Sequence, residues 1–241
     1  MAKGVFLADL HIHSVLSPCA DRDMLPHCII LEAWEKNISL IAVTDHNACD
    51  NVEVTVALGE KFGIWVVPGL EVETKEEVHL LSFFPSVSQL YSFNQKLAKF
   101  LSFIPLSEKI WGEEWVINEE GEIKEKKSNL LVYPLDLSIE QVTEEVRNRE
   151  GIVIPAHIDE FNGLGTCASK DIIENLFNLD YINAVQFVHK EYLQSNIKVV
   201  GNDELKKSIN QYYNNPRLEI GAEFIKNGYD SVVRAKQKNM S

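Results

Sequence analysis

Short apolar runs alternate with amphipathic stretches along much of the chain. Residues 4–8 (Gly-Val-Phe-Leu-Ala) are apolar throughout and predict a buried strand. A helix is predicted over 25–37, where Ile29, Ile30, Ala33 and Trp34 recur at helical spacing. Residues 39–43 predict a second buried strand, 51–62 a helix, and 64–67 (Ile-Trp-Val-Val) a third strand ended by Pro68-Gly69. A fourth strand follows over 78–84, ended by Pro85, and then a helix over 88–101. The rhythm breaks over 111–127, where Trp115, Val116, Ile117 and Ile123 flank Asn118-Glu119-Glu120-Gly121, a hairpin excursion. Ser138, with Gln141 three residues on, reads as a capping box for a helix over 139–149, and 152–154 (Ile-Val-Ile) as the next strand. Beyond it the pattern predicts a helix over 169–178, strands at 184–188 and 197–200, and helices over 203–213 and about 220–236. Strands alternating with helices place the chain in the α/β class, with a parallel sheet or barrel in one domain over residues 1–241. Within that domain 111–127 is an insertion and 190–241 a divergent C-terminal part.

The polar residues interrupt this pattern at particular places. His11 and His13, then Asp45 and His46, then Glu71, then His79, then His157 stand at or just beyond predicted strands. In βα architectures the carboxyl ends of the strands gather into one crevice. Five of the seven histidines occupy such positions; His27 and His189 do not share the setting as clearly. In Asp9-Leu10-His11-Ile12-His13 two imidazoles two residues apart point to the same side of an extended segment. Neutral imidazoles suit zinc, manganese or iron. A charged Asp45 directly after a buried strand needs a cation or several donors beside it, because burial strips its hydration. A multinuclear metal centre is the expectation.

Composition narrows the partners. Apolar residues make up 45% of the chain and charged ones 24%, as in ordinary globular proteins. The formal net charge of −13, with no basic patch, disfavours extended nucleic acid and favours a small phosphorylated substrate. The four cysteines, Cys19, Cys28, Cys49 and Cys167, show no CxxC pairing, which argues against a zinc ribbon or a disulfide framework. No apolar run is long enough for a membrane span, and the N-terminus does not read as a signal peptide. A cytoplasmic location is the corresponding expectation. Glycine-rich nucleotide cradles and the GxSxG elbow are absent.

Asp9-x-His11-x-His13-Ser14, Thr44-Asp45-His46-Asn47, Pro68-Gly69-x-Glu71, a later His79, and Pro155-Ala156-His157 occur in this order. Together they resemble the motifs of the polymerase and histidinol phosphatase (PHP) superfamily, and residues 8–84 resemble the small bacterial PHP proteins. The resemblance covers about residues 4–190. It implies a distorted (βα)7 barrel with two or three metals at the carboxyl ends of its strands, and a metal-activated hydroxide that attacks phosphorus. Carried over by motif, His11, His13 and Glu71 would hold the first metal. Glu71 would bridge to a second, completed by His79 and His157. His46 would help bind a third, with Asp21 or, as the second choice, Cys19. Asp9 and Asp45 would orient ligand histidines or cap a turn, and Arg22 would contact phosphate or lie in solvent.

The chain departs from the family pattern at its end. The family's closing Gly/Ser-x-Asp-x-His segment has as its nearest match Val200-Gly201-Asn202-Asp203-Glu204-Leu205, with Leu205 where the histidine is expected. Asp203 is then either a ligand of the first metal or the N-cap of the helix beginning at 204. The expected activity is hydrolysis of a small phosphomonoester or nucleotide. A nuclease trimming nucleic-acid ends, and a PHP-like metal-binding or interaction domain with attenuated catalysis, are the alternatives.

Overall fold

A computed structural model describes residues 5–158, 163–164, 185–186, 225–227 and 230–236. The order of elements is β1 (Val5–Ile12), α1 (Pro26–Glu35), β2 (Leu40–Val43), α2 (Val52–Phe62), β3 (Trp65–Val66), β4 (Gly69–Glu73), β5 (His79–Phe83), α3 (Val87–Leu97), α4 (Glu108–Trp111), β6 (Trp115–Ile117), β7 (Ile123–Lys126), α5 (Ile139–Arg147), β8 (Ile152–Pro155), β9 (Ile225–Asn227) and β10 (Asp230–Lys236).

The first half follows the predicted βα rhythm. β1, β2 and β3 lie parallel in a sheet of order β3-β2-β1-β10-β9. Helices α1 and α2 cover that sheet. Ile29, Ile30 and Ala33 of α1, with Val54 and Leu58 of α2, pack against Ile12, Ile41, Val43 and Val66 in one apolar cluster. α1 starts on Pro26, whose missing N–H costs nothing at a first helical position. α2 stops at Gly63, whose φ of 71° is the left-handed stop that glycine adopts without strain. α5 carries the capping box expected of Ser138 and Gln141.

Three expectations are corrected. The segment after Pro68-Gly69 is a fully buried strand, β4, so Glu71 sits inside a strand and not beyond one. Its Gly-Leu-Glu-Val-Glu sequence looks half solvated, yet every residue is covered. Gly69 begins it because a Cβ there would come within 2.8 Å of the Phe83 ring. Second, no closed barrel forms among the described residues. β4, β5 and β8 make a separate antiparallel sheet. The link between β4 and β5 is residues 74–78, too short for the dozen or so residues a parallel crossover needs. Third, the described part of the helix expected over 220–236 is the strand pair β9–β10, with Asn227 opposite Asp230. The β-branched Val232 and Val233 suit a strand. The hairpin expected at 111–127 is present as β6–β7. The elements expected over 169–213 lie outside the described residues, apart from residues 185–186, which are in neither helix nor strand.

Backbone pairing joins the end of β2 to β4. His46 bridges to Glu71 in parallel fashion, with Glu71 N donating to Asp45 O at 3.1 Å and Asn47 N to Glu71 O at 2.8 Å. This seam carries the end of β2 onto β4, and the candidate site lies on it.

Candidate metal centre

Each candidate ligand is placed by an element that ends or passes at this seam. His11 is in β1 and His13 lies one residue past its end. The register of β1 shifts between Asp9 and His11 against β10, and between Asp9 and Ile12 against β2. The two Nε2 atoms lie 3.0 Å apart. His46 follows β2, Glu71 is central in β4, His79 opens β5, and His157 follows β8. His157 has a φ of 30°, uncommon for a non-glycine residue. Its N–H is held by Gln186 Oε1 at 3.2 Å.

Glu71 is fully buried and is the hub. Its Oε1 lies 3.3 Å from His11 Nε2, 3.1 Å from His79 Nδ1 and 3.4 Å from His157 Nε2. Its Oε2 lies 3.0 Å from His13 Nε2 and 3.1 Å from His46 Nδ1. Yet Glu71 Oε2, His46 Nδ1, His79 Nε2 and Glu73 Oε2 are buried without a hydrogen-bond partner. Unpaired buried polar atoms of this kind are costly. Metal–nitrogen bonds of about 2.0–2.1 Å place neighbouring donors roughly 3 Å apart, which is the spacing seen here. Donor identity and spacing therefore fit divalent cations. Ligand atoms converge in three groups: His11-His13-Glu71, His46-Glu71-His79 and His13-Cys19-His46.

Electrostatics point the same way. Burial alone would raise the pKa of Glu71, but the positive charge available on His11, His79 and His46 outweighs it and holds the carboxyl well below its usual range. Burial lowers His46 well below the ordinary histidine value, against the pull of Glu71. Burial also wins at His11 and lowers it, despite Glu71. His11 and His46 are thus held neutral. At His79 the lowering by burial is outweighed by Glu71, which pushes the ring up to about 10. At His13 the lowering by burial is outweighed by hydrogen bonds to Cys19 and Glu71, which raise it well above the ordinary value. A cation binding there would displace protons from those two rings.

Asp45 serves the backbone. Its Oδ1 accepts from Ser14 N and Ser17 Oγ, both at 2.7 Å, and its Oδ2 from Ser14 Oγ at 2.6 Å. It pins the loop after β1 and contacts no ligand histidine by hydrogen bond. Asp9 Oδ1 accepts from His11 N at 3.3 Å. Asp21 is exposed and outside the three groups, whereas Cys19 is in one of them. Arg22 lies over the Trp115 ring at 5.7 Å, directed to the hairpin. Asp203 lies outside the described residues.

Sequence reading missed Gln186. It is 1% exposed, and its Oε1 accepts from His11 Nδ1 at 2.8 Å, which leaves His11 Nε2 free to face Glu71. Its backbone is tied to Pro155 O and Ile158 N, both at 2.9 Å. No spacing rule connects residue 186 to residue 11, so only the fold reveals the pair. Asn47 was likewise seen only as part of a motif. It is buried at a φ of 50° and joins Glu73 N to the carbonyls of Leu131 and Tyr133.

No family model and no curated protein sequence matches the chain. Among solved structures, a protein of Bifidobacterium adolescentis assigned as a metal-dependent phosphoesterase superposes with a TM-score of 0.56 at 15% identity, covering 85% of this chain and 82% of that one. The lesion-specific endonuclease PfuEndoQ of Pyrococcus furiosus gives a TM-score of 0.47 at 20% identity, over 83% of this chain and 57% of that one. A two-domain Bacteroides vulgatus protein containing a PHP-like metal-dependent phosphoesterase gives 0.45 at 15%, over 76% and 44%. The first likeness establishes a shared fold; the other two are too distant in shape to support more.

Proposed function

We infer that the chain is a metal-dependent hydrolase that cleaves a phosphate ester, with a small phosphomonoester or nucleotide as substrate. The observation that carries this reading is the convergence of five imidazoles on the buried Glu71, with donor atoms left unpaired. His11, His13 and Glu71 would hold one cation, and Glu71 with His79 and His157 or His46 a second; zinc, manganese and iron all suit this donor set. Two cations there would supply Lewis acidity at the phosphate oxygens and lower the pKa of a water. The chain's own residues set the stage for that chemistry. Glu71 stands between both donor sets, with Oε1 beside His11, His79 and His157 and Oε2 beside His13 and His46, so it would contribute to both cations. Gln186 fixes His11 with Nε2 inward. Asp45 keeps the loop after β1 from drifting away from His46, whose N–H contacts Ser17 Oγ at 3.2 Å.

The net charge of −13 supports a small substrate over a long duplex. Among the described residues no helix is long and apolar enough to cross a membrane, and a cytoplasmic setting is part of the proposal. The test is turnover of p-nitrophenyl phosphate with added manganese. We expect activity in the wild type and a loss of about 100-fold or more in His11→Ala. Release of mononucleotides from a single-stranded oligonucleotide, without phosphomonoester turnover, would replace this reading with the nuclease one. Metal binding without turnover of either substrate would leave a binding domain. Failure to take up metal on dialysis would end the metal reading altogether.

A further inference from the structure

One buried carboxylate beside the centre has no part in the ligand groups around Glu71. Glu73 is 8% exposed, and its Oε2 is buried without a hydrogen-bond partner. It stands directly opposite His79 in the antiparallel pairing of β4 with β5, on the same face of β4 as Glu71. The ring of His79 lies between the two carboxylates. Its Nδ1 is 3.1 Å from Glu71 Oε1, and its Nε2 is 3.8 Å from Glu73 Oε1. That Nε2 is also buried without a partner. The backbone of Glu73 is held beyond the β5 pairing as well. Its N–H donates to Asn47 Oδ1 at 3.1 Å, and its carbonyl accepts from Leu135 N at 2.9 Å. An unpaired buried carboxylate oxygen costs stability, and the group it faces is the free nitrogen of a candidate ligand.

We propose that Glu73 is a positioning residue, whose carboxylate accepts the Nε2–H of His79 and so keeps Nδ1 of that ring turned toward Glu71 for a cation. The proposal rests on the metal reading above and adds to it a residue that lies outside the motifs shared with the family. An imidazole that ligates through one nitrogen keeps its N–H on the other. Holding the N–H at Nε2 therefore fixes Nδ1 as the ligating atom and fixes the plane of the ring. Gln186 does the same at His11 with the nitrogens exchanged: Nδ1 meets Gln186 and Nε2 faces Glu71. The 3.8 Å gap at His79 is longer than a hydrogen bond. Closing it takes about 1 Å of side-chain movement. Ligation at Nδ1 makes the Nε2–H a stronger donor and favours that closure.

Zinc titration calorimetry and nitrogen-15 spectra of the whole chain, labelled at histidine, test this. Glu73→Leu removes the acceptor and should weaken zinc binding about 10–100-fold. Glu73→Gln keeps an oxygen acceptor and should restore most of the affinity. Circular dichroism matching the wild type shows that each variant is folded. In the zinc-loaded wild type the N–H of His79 should sit on Nε2, its signals assigned by their loss in His79→Ala. The proton on that nitrogen should move to higher field in Glu73→Leu, as its hydrogen bond is lost. The wild-type spectrum decides even where Glu73→Leu does not fold. The proposal is overturned if Nε2 of His79 is the ligating nitrogen, if Glu73→Leu binds zinc as tightly as wild type, or if Glu73→Gln loses as much affinity as Glu73→Leu. If wild type takes up no zinc, the metal reading fails and this proposal with it. That result is distinct from equal zinc binding by wild type and Glu73→Leu, which removes only the role of Glu73.

Discussion

A fully buried carboxylate needs compensating charge, and Glu71 finds it in five imidazoles that approach to between 3.0 and 3.4 Å. Which nitrogen each ring turns inward depends on what its other nitrogen meets. For His11 that partner is Gln186, so Gln186→Leu should leave the ring free to rotate and weaken metal affinity about 10–100-fold. Isothermal titration with zinc measures this. Gln186→Glu keeps an acceptor and should restore most of the affinity; equal affinities for all three proteins would remove Gln186 from the site. Glu114 lies outside the centre and behaves differently. It is buried, accepts only a long 3.4 Å bond from Leu131 N, and leaves Oε2 unpaired. Burial pushes its pKa up to about 7, with the charge of Asp45 adding to the rise. Over the range from about 4.3 to 7 the folded chain keeps a proton that the unfolded chain has released. This contribution to stability is therefore complete below about pH 4.3, falls as pH rises to 7, and is flat above that. The loss approaches ~3 kcal/mol. Urea unfolding at pH 5 and pH 7.5 should show this loss in wild type and a smaller one in Glu114→Gln.

Among the elements, those with one dominant period were legible from sequence. α1, α2 and α5 appear within a few residues of their expected ranges, because an apolar stripe, Pro26, Gly63 and the Ser138 box are local features. β4 was not legible. Its acidic residues look solvated, and only the seam with His46 and the pairing with β5 bury them. The strand pair β9–β10 carried a local sign in the β-branched Val232 and Val233 that a helix reading overrode. Gly69 marks how tightly β4 is seated. Gly69→Ala would press a methyl group to 2.8 Å from the Phe83 ring and 3.1 Å from Ser82 O. We expect a loss of about 1–3 kcal/mol in urea unfolding. Because Glu71 lies two residues away, zinc affinity should fall as well. Unchanged stability would mean that the strand shifts freely, contrary to its burial on both faces.

For the molecule as a whole, the centre ties together segments far apart in sequence: β1, the end of β2, β4, β5, the end of β8, and Gln186. A cation bound there should stabilise the folded state, because the unfolded chain offers no such cluster. At metal about 100-fold above its dissociation constant the gain is ~2.7 kcal/mol, a rise in Tm of roughly 5–10 °C. Calorimetry with and without a chelator measures it, and a Tm indifferent to metal would contradict a centre built from these strands. The sequence by itself determined the α/β class, the early strands and helices, and the inventory of candidate donors His11, His13, His46, Glu71, His79 and His157. These follow from residue type and local period, which act within a few positions along the chain. Only the tertiary structure decided that Glu71 lies within a strand, that Cys19 and not Asp21 faces the histidines, that Asp45 holds a loop, and that Gln186 orients His11. Those outcomes depend on which segments become neighbours across a sheet seam. That is a matter of strand pairing and burial over long sequence separation, which no local pattern encodes.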